Sequence, residues 1–256
     1  MLLLIDAGNT KIKWAVFHLP LASVQLSAAH AIGEVTQTER LHLFGQIQSF
    51  PITRILYSNV AGAQVEQDLQ AQFAQLSSVP QQISAFKSQA QCAGLTNLYS
   101  QPSQLGSDRF ASAIAAHHLF PDTDLIVATC GTATTVDHVS AQANFVGGMI
   151  LPGLPMMAQS LARNTAQLPE VLPKTKLDSL FALSTEQAIL SGCIHAQVGA
   201  MTLAMDSIRH NAEPALCVIS GGAAPYLLAQ LNFPYQYVEN LVLTGLLCVA
   251  NSTSDF

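Results

Sequence analysis

The sequence predicts an α/β protein that is built from two similar halves. Two segments, LLLIDAGNTKIKWAVF from residue 2 and LIVATCGTATTVDHV from residue 125, share one plan: an apolar strand, a polar turn with glycine, and a second strand. Segments with helical periodicity follow strands in both halves. We therefore expect two α/β domains, residues 1–120 and residues 121–256, which face each other.

The first half begins with apolar runs at 2–6 and 12–17, which predict a hairpin, and a further strand is predicted at 55–60. Apolar side chains then recur every three or four residues over 65–76, which predicts a helix with a solvated, glutamine-rich side. A second helix is predicted over 107–120, with Ser107 as its capping residue and the Asp108 carboxylate favoured in its first turn.

The second half begins with predicted strands at 125–128, 136–139 and 145–151. Pro152 and Gly153 precede a helix that runs to Leu161. Ser184 and Gln187 form a capping-box pattern for a long helix towards Ile208. A strand at 217–220, a Gly-Gly turn and a helix beginning at Pro225 complete the predicted elements.

The composition excludes several classes of function. Only ten Lys and Arg residues occur and the net charge is −6, so binding to nucleic acid is not expected. No run of about 18 apolar residues predicts a membrane span, and the N-terminus lacks the features of a signal peptide. The cysteines are odd in number and widely spaced, which favours a reducing, cytoplasmic location. Half of the residues are hydrophobic and 10% are charged, which favours an unusually apolar interior together with a large apolar interface with a second subunit.

The turn after the first strand has the composition of a phosphate-binding loop. Its backbone N–H groups, with the donors of Asn9 and Thr10 and the charge of Lys11 or Lys13, suit phosphate oxygens. Asp6 at the strand end suits Mg²⁺. The alternative is a plain hairpin with Asn at its turn. The segment consists of Asp6, Ala7, Gly8, Asn9, Thr10, Lys11, Ile12 and Lys13.

Three further motifs suggest the same chemistry, although each also has an ordinary structural explanation. Gly131 followed by Thr132, Thr134 and Thr135 suggests a second phosphate grip, but threonine is common in strands. Ser220-Gly-Gly suits a nucleotide near a helix start, but a Gly-Gly turn is a weak signal. Gly106-Ser-Asp-Arg109 would bind and activate an alcohol, or would simply start a helix.

Taken together and in order, the motifs resemble those of the type III pantothenate kinase family. The matching motifs are D-x-G-N-T-x-x-K, G-x-D-R, G-T-A-T-T-x-D, Gly147–Gly153 and Thr165–Pro169, and the resemblance extends from residue 1 to about residue 245. It implies two ribonuclease H-like domains of the acetate and sugar kinase, Hsp70 and actin superfamily. It also implies a homodimer that phosphorylates pantothenate with ATP and Mg²⁺ in the first step of coenzyme A biosynthesis.

The resemblance also implies roles for individual residues. Asp6 to Lys13 would form the first phosphate loop, and Gly131 with Thr132 would contact ATP from the second. Asp108 would be the catalytic base, kept ionised by the helix start and by Arg109. A monovalent cation, K⁺ or NH₄⁺, has a charged ligand in many members, but Thr129 stands at that position here. The implied pantothenate-binding residues are Tyr99, Gly106, Ser107, Asp108, Arg109 and, from the partner subunit, Thr185.

Two other functions remain open from the residues alone. One is a non-catalytic regulatory protein with the same fold, which loss of Asp6, Asp108 or Arg109 would have favoured; all three are present. The other is a kinase for a different small alcohol. Turnover of ATP with pantothenate distinguishes among the three.

Overall fold

Two compact units make up the chain in this computed structural model, which describes residues 1–76, 80–171, 177, 179–208 and 215–252. The first unit contains Met1–Leu119 and the chain from Asn240 onward, and the second contains Phe120–Glu239. The sequence-based division placed 240–256 in the second domain, and the structure corrects this. The helix at Leu241–Ser252 buries its apolar residues in the first unit, against a strand and a helix of that unit.

The strands and helices are numbered in chain order. The strands are β1 (Leu2–Ala7), β2 (Lys11–Phe17), β3 (Ala31–Thr36), β4 (Arg54–Asn59), β5 (Gln82–Ala85), β6 (Gln91–Cys92), β7 (Leu95–Asn97), β8 (Asp124–Cys130), β9 (Ala133–Ser140), β10 (Asn144–Pro152), β11 (Ala215–Ser220) and β12 (Tyr235–Tyr237). The helices are α1 (Leu43–Ile47), α2 (Ala63–Phe73), α3 (Ser107–Leu119), α4 (Leu154–Asn164), α5 (Thr185–Ile208) and α6 (Leu241–Ser252).

The sheet of the first unit has the order β3-β2-β1-β4-β5. Strands β1, β2 and β3 pair antiparallel, whereas β4 lies parallel to β1 and β5 parallel to β4. The side chains of β1 are almost entirely buried because the sheet is covered on both faces, which explains why its sequence is a continuous apolar run. The ends of β1 and β4 therefore lie side by side, with Asp6 opposite Ser58.

The second unit repeats this arrangement. Its five strands follow the order β10-β9-β8-β11-β12, with β8, β9 and β10 antiparallel and with β11 and β12 parallel to β8. Helix α5 packs one face against β8, β9 and β11. The predicted α/β class and the predicted repeat of strand, turn and strand are thus confirmed.

Some local predictions were wrong. Pro225 does not begin an α-helix; two short 3₁₀ turns, Ala224–Tyr226 and Leu228–Gln230, follow β11 instead. Helix α5 begins as predicted, and the Ser184 hydroxyl accepts a hydrogen bond from the Gln187 N–H at 3.3 Å. By length and composition α5 is also apolar enough to span a membrane, but 56% of its most apolar window is buried, as in the core helix of a soluble domain.

Candidate functional site

The turn between β1 and β2 is tight and is held from outside. The Gly8 N–H donates to the Lys11 carbonyl at 3.0 Å, which closes the turn over Asn9 and Thr10. The Gln37 amide donates to the Gly8 carbonyl at 2.6 Å and so fixes the turn from the end of β3. A Cβ atom at Gly8 would lie 3.3 Å from the Lys11 carbonyl oxygen, closer than most such contacts. The turn therefore presents a fixed backbone, as phosphate binding requires.

The two lysines of this turn have different surroundings. Lys11 is exposed and forms an ion pair with Glu34 across β2 and β3. Lys13 is half-buried, lies opposite Asp6 in the β1–β2 register, and donates to the Asn240 side-chain carbonyl at 2.7 Å. Of the two lysines, Lys13 is the one whose charge acts on the Asp6 carboxylate.

Asp6 has an abnormal protonation equilibrium. Burial and, to a lesser extent, the nearby Asp108 carboxylate raise the pKa of Asp6 from 3.8 to about 7, and the Lys13 ammonium opposes this increase. Burial also raises the pKa of Asp108, although the Arg109 N–H and charge act against it. Arg109 thus acts on Asp108 in the expected direction, but desolvation outweighs it, so the pKa of Asp108 lies above its ordinary value.

Helix α3 begins immediately after Gly106, whose carbonyl accepts the Phe110 N–H at 3.0 Å. Ser107 does not serve as the capping residue that the sequence predicted. Its hydroxyl lies 2.7 Å from the hydroxyl of Ser58, a fully buried residue beside Asp6 on β4. Ser58, which the sequence analysis missed, thus joins the start of α3 to the edge of the sheet that carries Asp6.

Arg109 and Tyr99 form the basic part of the same site. Arg109 is buried, and its guanidinium donates to the Tyr99 hydroxyl at 3.1 Å. The guanidinium carbon also lies 5.7 Å from the centroid of the Tyr99 ring. Asn97 fixes the segment by accepting the Tyr99 N–H at 3.1 Å and by donating to the Pro102 carbonyl. The structure thus brings Tyr99 and Arg109 into contact.

A cleft of about 750 Å³ opens beside this site in the first unit. Gly106 and Ser107 form part of its wall, together with Tyr57, Asn59 and Glu66 at the ends of β4 and α2. Its volume is in the usual range for small-molecule pockets. Its lining is polar enough to accept a hydroxylated or amide-containing molecule.

In the second unit, three turns meet at the end of β8. The Gly131 N–H donates to the Ala133 carbonyl at 3.0 Å, the Gly153 N–H donates to the Thr132 carbonyl at 2.9 Å, and the Ala223 N–H donates to the Cys130 carbonyl at 2.9 Å. A Cβ atom at Gly153 would lie 2.2 Å from the Gly131 carbonyl oxygen, so glycine is required there. The three glycine-containing motifs of this half therefore form one loop cluster.

The threonines of this cluster do not act as a single group. Thr132 is exposed, whereas Thr134 and Thr135 are buried. The Thr134 hydroxyl donates to the Gln197 side-chain carbonyl at 2.8 Å and so serves packing between β9 and α5. Thr129 is half-buried at the end of β8, and Thr185 is exposed at the start of α5. Of the three threonine hydroxyls predicted to bind phosphate together, Thr132 is therefore the one that is exposed.

The acidic residues of the first unit suit a hard divalent cation. In the described part of the chain, no three His, Cys, Asp or Glu side chains gather closely enough to hold a metal on their own. Mg²⁺, however, is usually bound by one or two carboxylates together with substrate phosphates and waters. The Asp108 carboxylate contributes to the raised pKa of Asp6, so the two acids place negative charge close together. A cation bound there would compensate this charge. The donor set thus fits Mg²⁺ held jointly with a nucleotide.

Comparison with known proteins places these residues in a family context. Residues 2–207 match the family model described as type III pantothenate kinase. A type III pantothenate kinase from Herminiimonas arsenicoxydans is 45% identical over 255 residues, which cover 99% of this chain and 98% of that relative.

Solved structures share the fold at much lower identity. A Campylobacter jejuni protein described as a Baf family transcriptional activator aligns with a TM-score of 0.63 and 19% identity, covering 99% of this chain and 100% of its own. A Sinorhizobium meliloti protein described as a 2-dehydro-3-deoxygalactonokinase aligns with a TM-score of 0.59 and 12% identity, with both chains fully covered. These likenesses show that the chain shares the fold of these two proteins.

Proposed function

The chain belongs to the type III pantothenate kinase family, and we propose that its reaction depends on the carboxylates of Asp6 and Asp108. It is an ATP-dependent pantothenate kinase, which forms 4'-phosphopantothenate in the first step of coenzyme A biosynthesis. Asp6 would hold Mg²⁺ together with the nucleotide, and Asp108 would act on the pantothenate hydroxyl. The observation that carries this assignment is that Asp6 and Asp108 lie close enough for the Asp108 charge to raise the pKa of Asp6, next to the Arg109–Tyr99 contact.

The nucleotide would be bound by two loops. The tight β1–β2 turn, Asp6 to Lys13, offers backbone N–H groups and the Lys13 ammonium to the phosphates. In the second unit, Gly131 and the exposed Thr132 hydroxyl would supply further ATP contacts. Bound Mg²⁺ would supply charge neutralisation for the transferring phosphoryl group.

Pantothenate would be bound at the start of α3. The positive charge of Arg109, held by the Tyr99 hydroxyl, suits the pantothenate carboxylate or an oxygen of the transferring group. Gly106 and Ser107 border the adjacent cleft, which has room for the acceptor. Thr185 would contribute from the partner subunit, since it is exposed at the first turn of α5.

The transfer is an in-line displacement at phosphorus. The primary hydroxyl oxygen of pantothenate forms a bond to the γ-phosphorus, and the bond from that phosphorus to the β–γ bridging oxygen breaks, which releases ADP. The hydroxyl proton passes to Asp108. Because phosphoryl transfer depends mainly on positioning and charge, Asp108 would orient the hydroxyl first and take its proton late. The raised pKa of Asp108 makes it a better proton acceptor than an ordinary carboxylate.

The test is the substitution Asp108→Asn. It keeps the shape and a hydrogen-bond acceptor but removes the proton acceptor, so kcat should fall by about 10²–10⁴-fold. Nucleotide affinity, measured by calorimetry, should change little. Asp6→Asn is the matched control, because the same chemical change at the metal site should weaken Mg²⁺-dependent nucleotide binding directly. Near-normal kcat in Asp108→Asn would refute the assignment of the base.

The regulatory alternative receives no specific support. The likeness to a Baf family transcriptional activator is at 19% identity and shows the fold alone. An enzyme of this family makes its product from soluble metabolites, so we propose a cytoplasmic location, in agreement with the cysteine pattern. ATP consumption that requires pantothenate, and not another small alcohol, would separate the kinase from both alternatives.

A homodimer formed through α5 is the second part of the proposal. Exposed residues recur along one face of this helix at helical spacing, and most of them are small or apolar: Thr185, Ala188, Gly192, Ala196, Gly199 and Leu203. A Cβ atom at Gly192 or Gly199 would meet no atom within 4 Å among the residues that the structure describes. Beside Leu203, the β10 side chains Val146 and Met149 are 43% and 37% exposed. An apolar strip of this kind supports burial against a second copy.

The dimer is tested by Ala196→Arg, which places a charged side chain in the middle of the strip. Wild-type protein should sediment at about twice 27.2 kDa, and Ala196→Arg should shift the equilibrium to monomer and lose activity. Ala71→Arg introduces the same side chain at an exposed alanine of α2 and should leave the dimer intact. A monomeric wild-type protein with full activity would rule the dimer out.

A further inference from the structure

Lys13 is oriented by a residue near the opposite end of the chain. Its ammonium donates to the Asn240 side-chain carbonyl at 2.7 Å, across 227 residues of sequence. The partner is a neutral amide, so the contact uses one of the three ammonium donors and adds no negative charge to that of the nearby Asp6. By contrast, the charge of Lys11 is compensated by Glu34.

Asn240 is itself held in an uncommon backbone conformation. Its φ of +57° is in the left-handed region, which asparagine tolerates better than most residues other than glycine. Its backbone carbonyl accepts the Thr244 N–H at 3.1 Å and the Thr244 hydroxyl at 3.3 Å, which fixes it to the first turn of α6. The side chain is therefore presented from a constrained position.

Helix α6 makes that position rigid. Leu243, Leu246 and Leu247 are fully buried in the first unit. A Cβ atom at Gly245 would lie 1.9 Å from the Ala111 carbonyl oxygen, so the α6 and α3 backbones are in direct contact. The helix that begins directly after Asn240 is thus packed against the helix that carries Asp108 and Arg109.

We propose that Asn240 is a positioning residue that holds the Lys13 ammonium ready for the nucleotide phosphates. The inference depends on the proposed phosphate-binding role of Lys13. A free lysine side chain has many rotamers, and binding a phosphate would require it to lose that freedom. An amide oxygen that fixes the ammonium beforehand reduces this loss without neutralising the charge.

The experiment compares Asn240→Gly, Lys13→Met and the double variant. Glycine removes the amide but accepts the positive φ, so the fold and melting temperature should be retained. Without Asn240, phosphate binding itself must immobilise the Lys13 side chain, so KM for ATP should rise by about three- to tenfold in Asn240→Gly. KM for pantothenate should change by less than about twofold, because a loss confined to Lys13 affects only phosphate binding. In the Lys13→Met background, Asn240→Gly should have no further effect.

The outcomes separate the inference from the proposed function. If Lys13→Met leaves KM for ATP unchanged, the phosphate role of Lys13 fails, and the inference fails with it. If Lys13→Met raises that KM but Asn240→Gly does not, only the inference is overturned. Additive effects in the double variant, or equal increases in both KM values, would also overturn it, because they indicate a general structural role for Asn240.

A charge variant supplies a further check. Asn240→Asp keeps the oxygen that accepts from Lys13 but compensates its charge, so ATP should bind no better than to Asn240→Gly. Wild-type KM for ATP in Asn240→Asp would overturn the argument that a neutral partner is needed.

Discussion

Lowering the pH from 8 to 6 should protonate Asp6 and weaken Mg²⁺-dependent nucleotide binding. The pKa of Asp6 is raised to about 7 by burial and by Asp108. A group with this pKa is about nine-tenths ionised at pH 8 and about one-tenth ionised at pH 6. Because a proton and Mg²⁺ compete for the same carboxylate, the apparent Mg²⁺ affinity should fall by about tenfold over this range.

The assay is calorimetric titration of Mg²⁺ into protein saturated with a non-hydrolysable ATP analogue, at pH 6, 7 and 8. The nucleotide also takes up protons in this range, so Asp6→Asn supplies the baseline and the prediction concerns the difference from it. Asp108→Asn should lower the pKa of Asp6 and so reduce the loss of Mg²⁺ affinity at pH 6, although its turnover is expected to be slow. Identical pH profiles for wild type and Asp6→Asn would refute the reasoning.

Two further predictions concern packing and cations. Gly245→Ala should lower the free energy of unfolding by about 1–3 kcal/mol in thermal unfolding, because its Cβ would clash with the Ala111 carbonyl. Gly45→Ala in α1 is the control and should be neutral or stabilising, because the space around Gly45 is open. Equal melting temperatures for the two variants would contradict the prediction for Gly245. Thr129 lacks the charge of a carboxylate ligand, so turnover should differ little among Na⁺, K⁺ and NH₄⁺ buffers, and a strict K⁺ requirement abolished by Thr129→Ala would contradict this.

The repeated fold could be predicted because its signals are local. Each half begins with two apolar runs separated by a turn with glycine, and such runs fold as neighbouring antiparallel strands whatever follows. The parallel additions, β4 and β11, were also predicted from buried apolar runs. Strand β3 was missed because AIGEVT carries no strong alternation, and its position is fixed by pairing with β2.

The placement of α6 could not be predicted from its residues. The helix is apolar on every side, so no face indicates which unit it covers. Its position depends on the close approach of Gly245 to Ala111, a contact between residues far apart in sequence. Chain order alone suggested the second domain, and packing decided otherwise.

The candidate site shows the same division between local and distant information. Residues within one turn, such as Asp6, Gly8 and Lys13, could be selected from composition. Ser58 and Asn240 could not, because their partners are 49 and 227 residues away. The grip of three threonines failed for a reason that is visible in sequence: neighbouring strand residues point to opposite faces, so Thr134 and Thr135 cannot share a ligand.

A comparison of Glu66 with Asp6, two carboxylates of the first unit, shows why the presence of an acid at position 6 is better explained by ligand binding than by folding. Burial alone would raise the pKa of Glu66, but hydrogen bonds from Tyr57, Asn59 and Gln70 outweigh burial and lower it, so the fold itself satisfies this charge.

Asp6 has the opposite balance. Its folded pKa of about 7 exceeds the usual 3.8, so the stability that its protonated form contributes is complete below pH 3.8 and is lost as the pH rises through 7. The corresponding free energy is on the order of 4 kcal/mol in the metal-free protein. Asparagine at position 6 would avoid this loss of stability, so packing alone does not require a carboxylate there. A charge that destabilises the empty fold, beside a second carboxylate and a rigid phosphate-binding turn, is accounted for by a cation that arrives with the substrate.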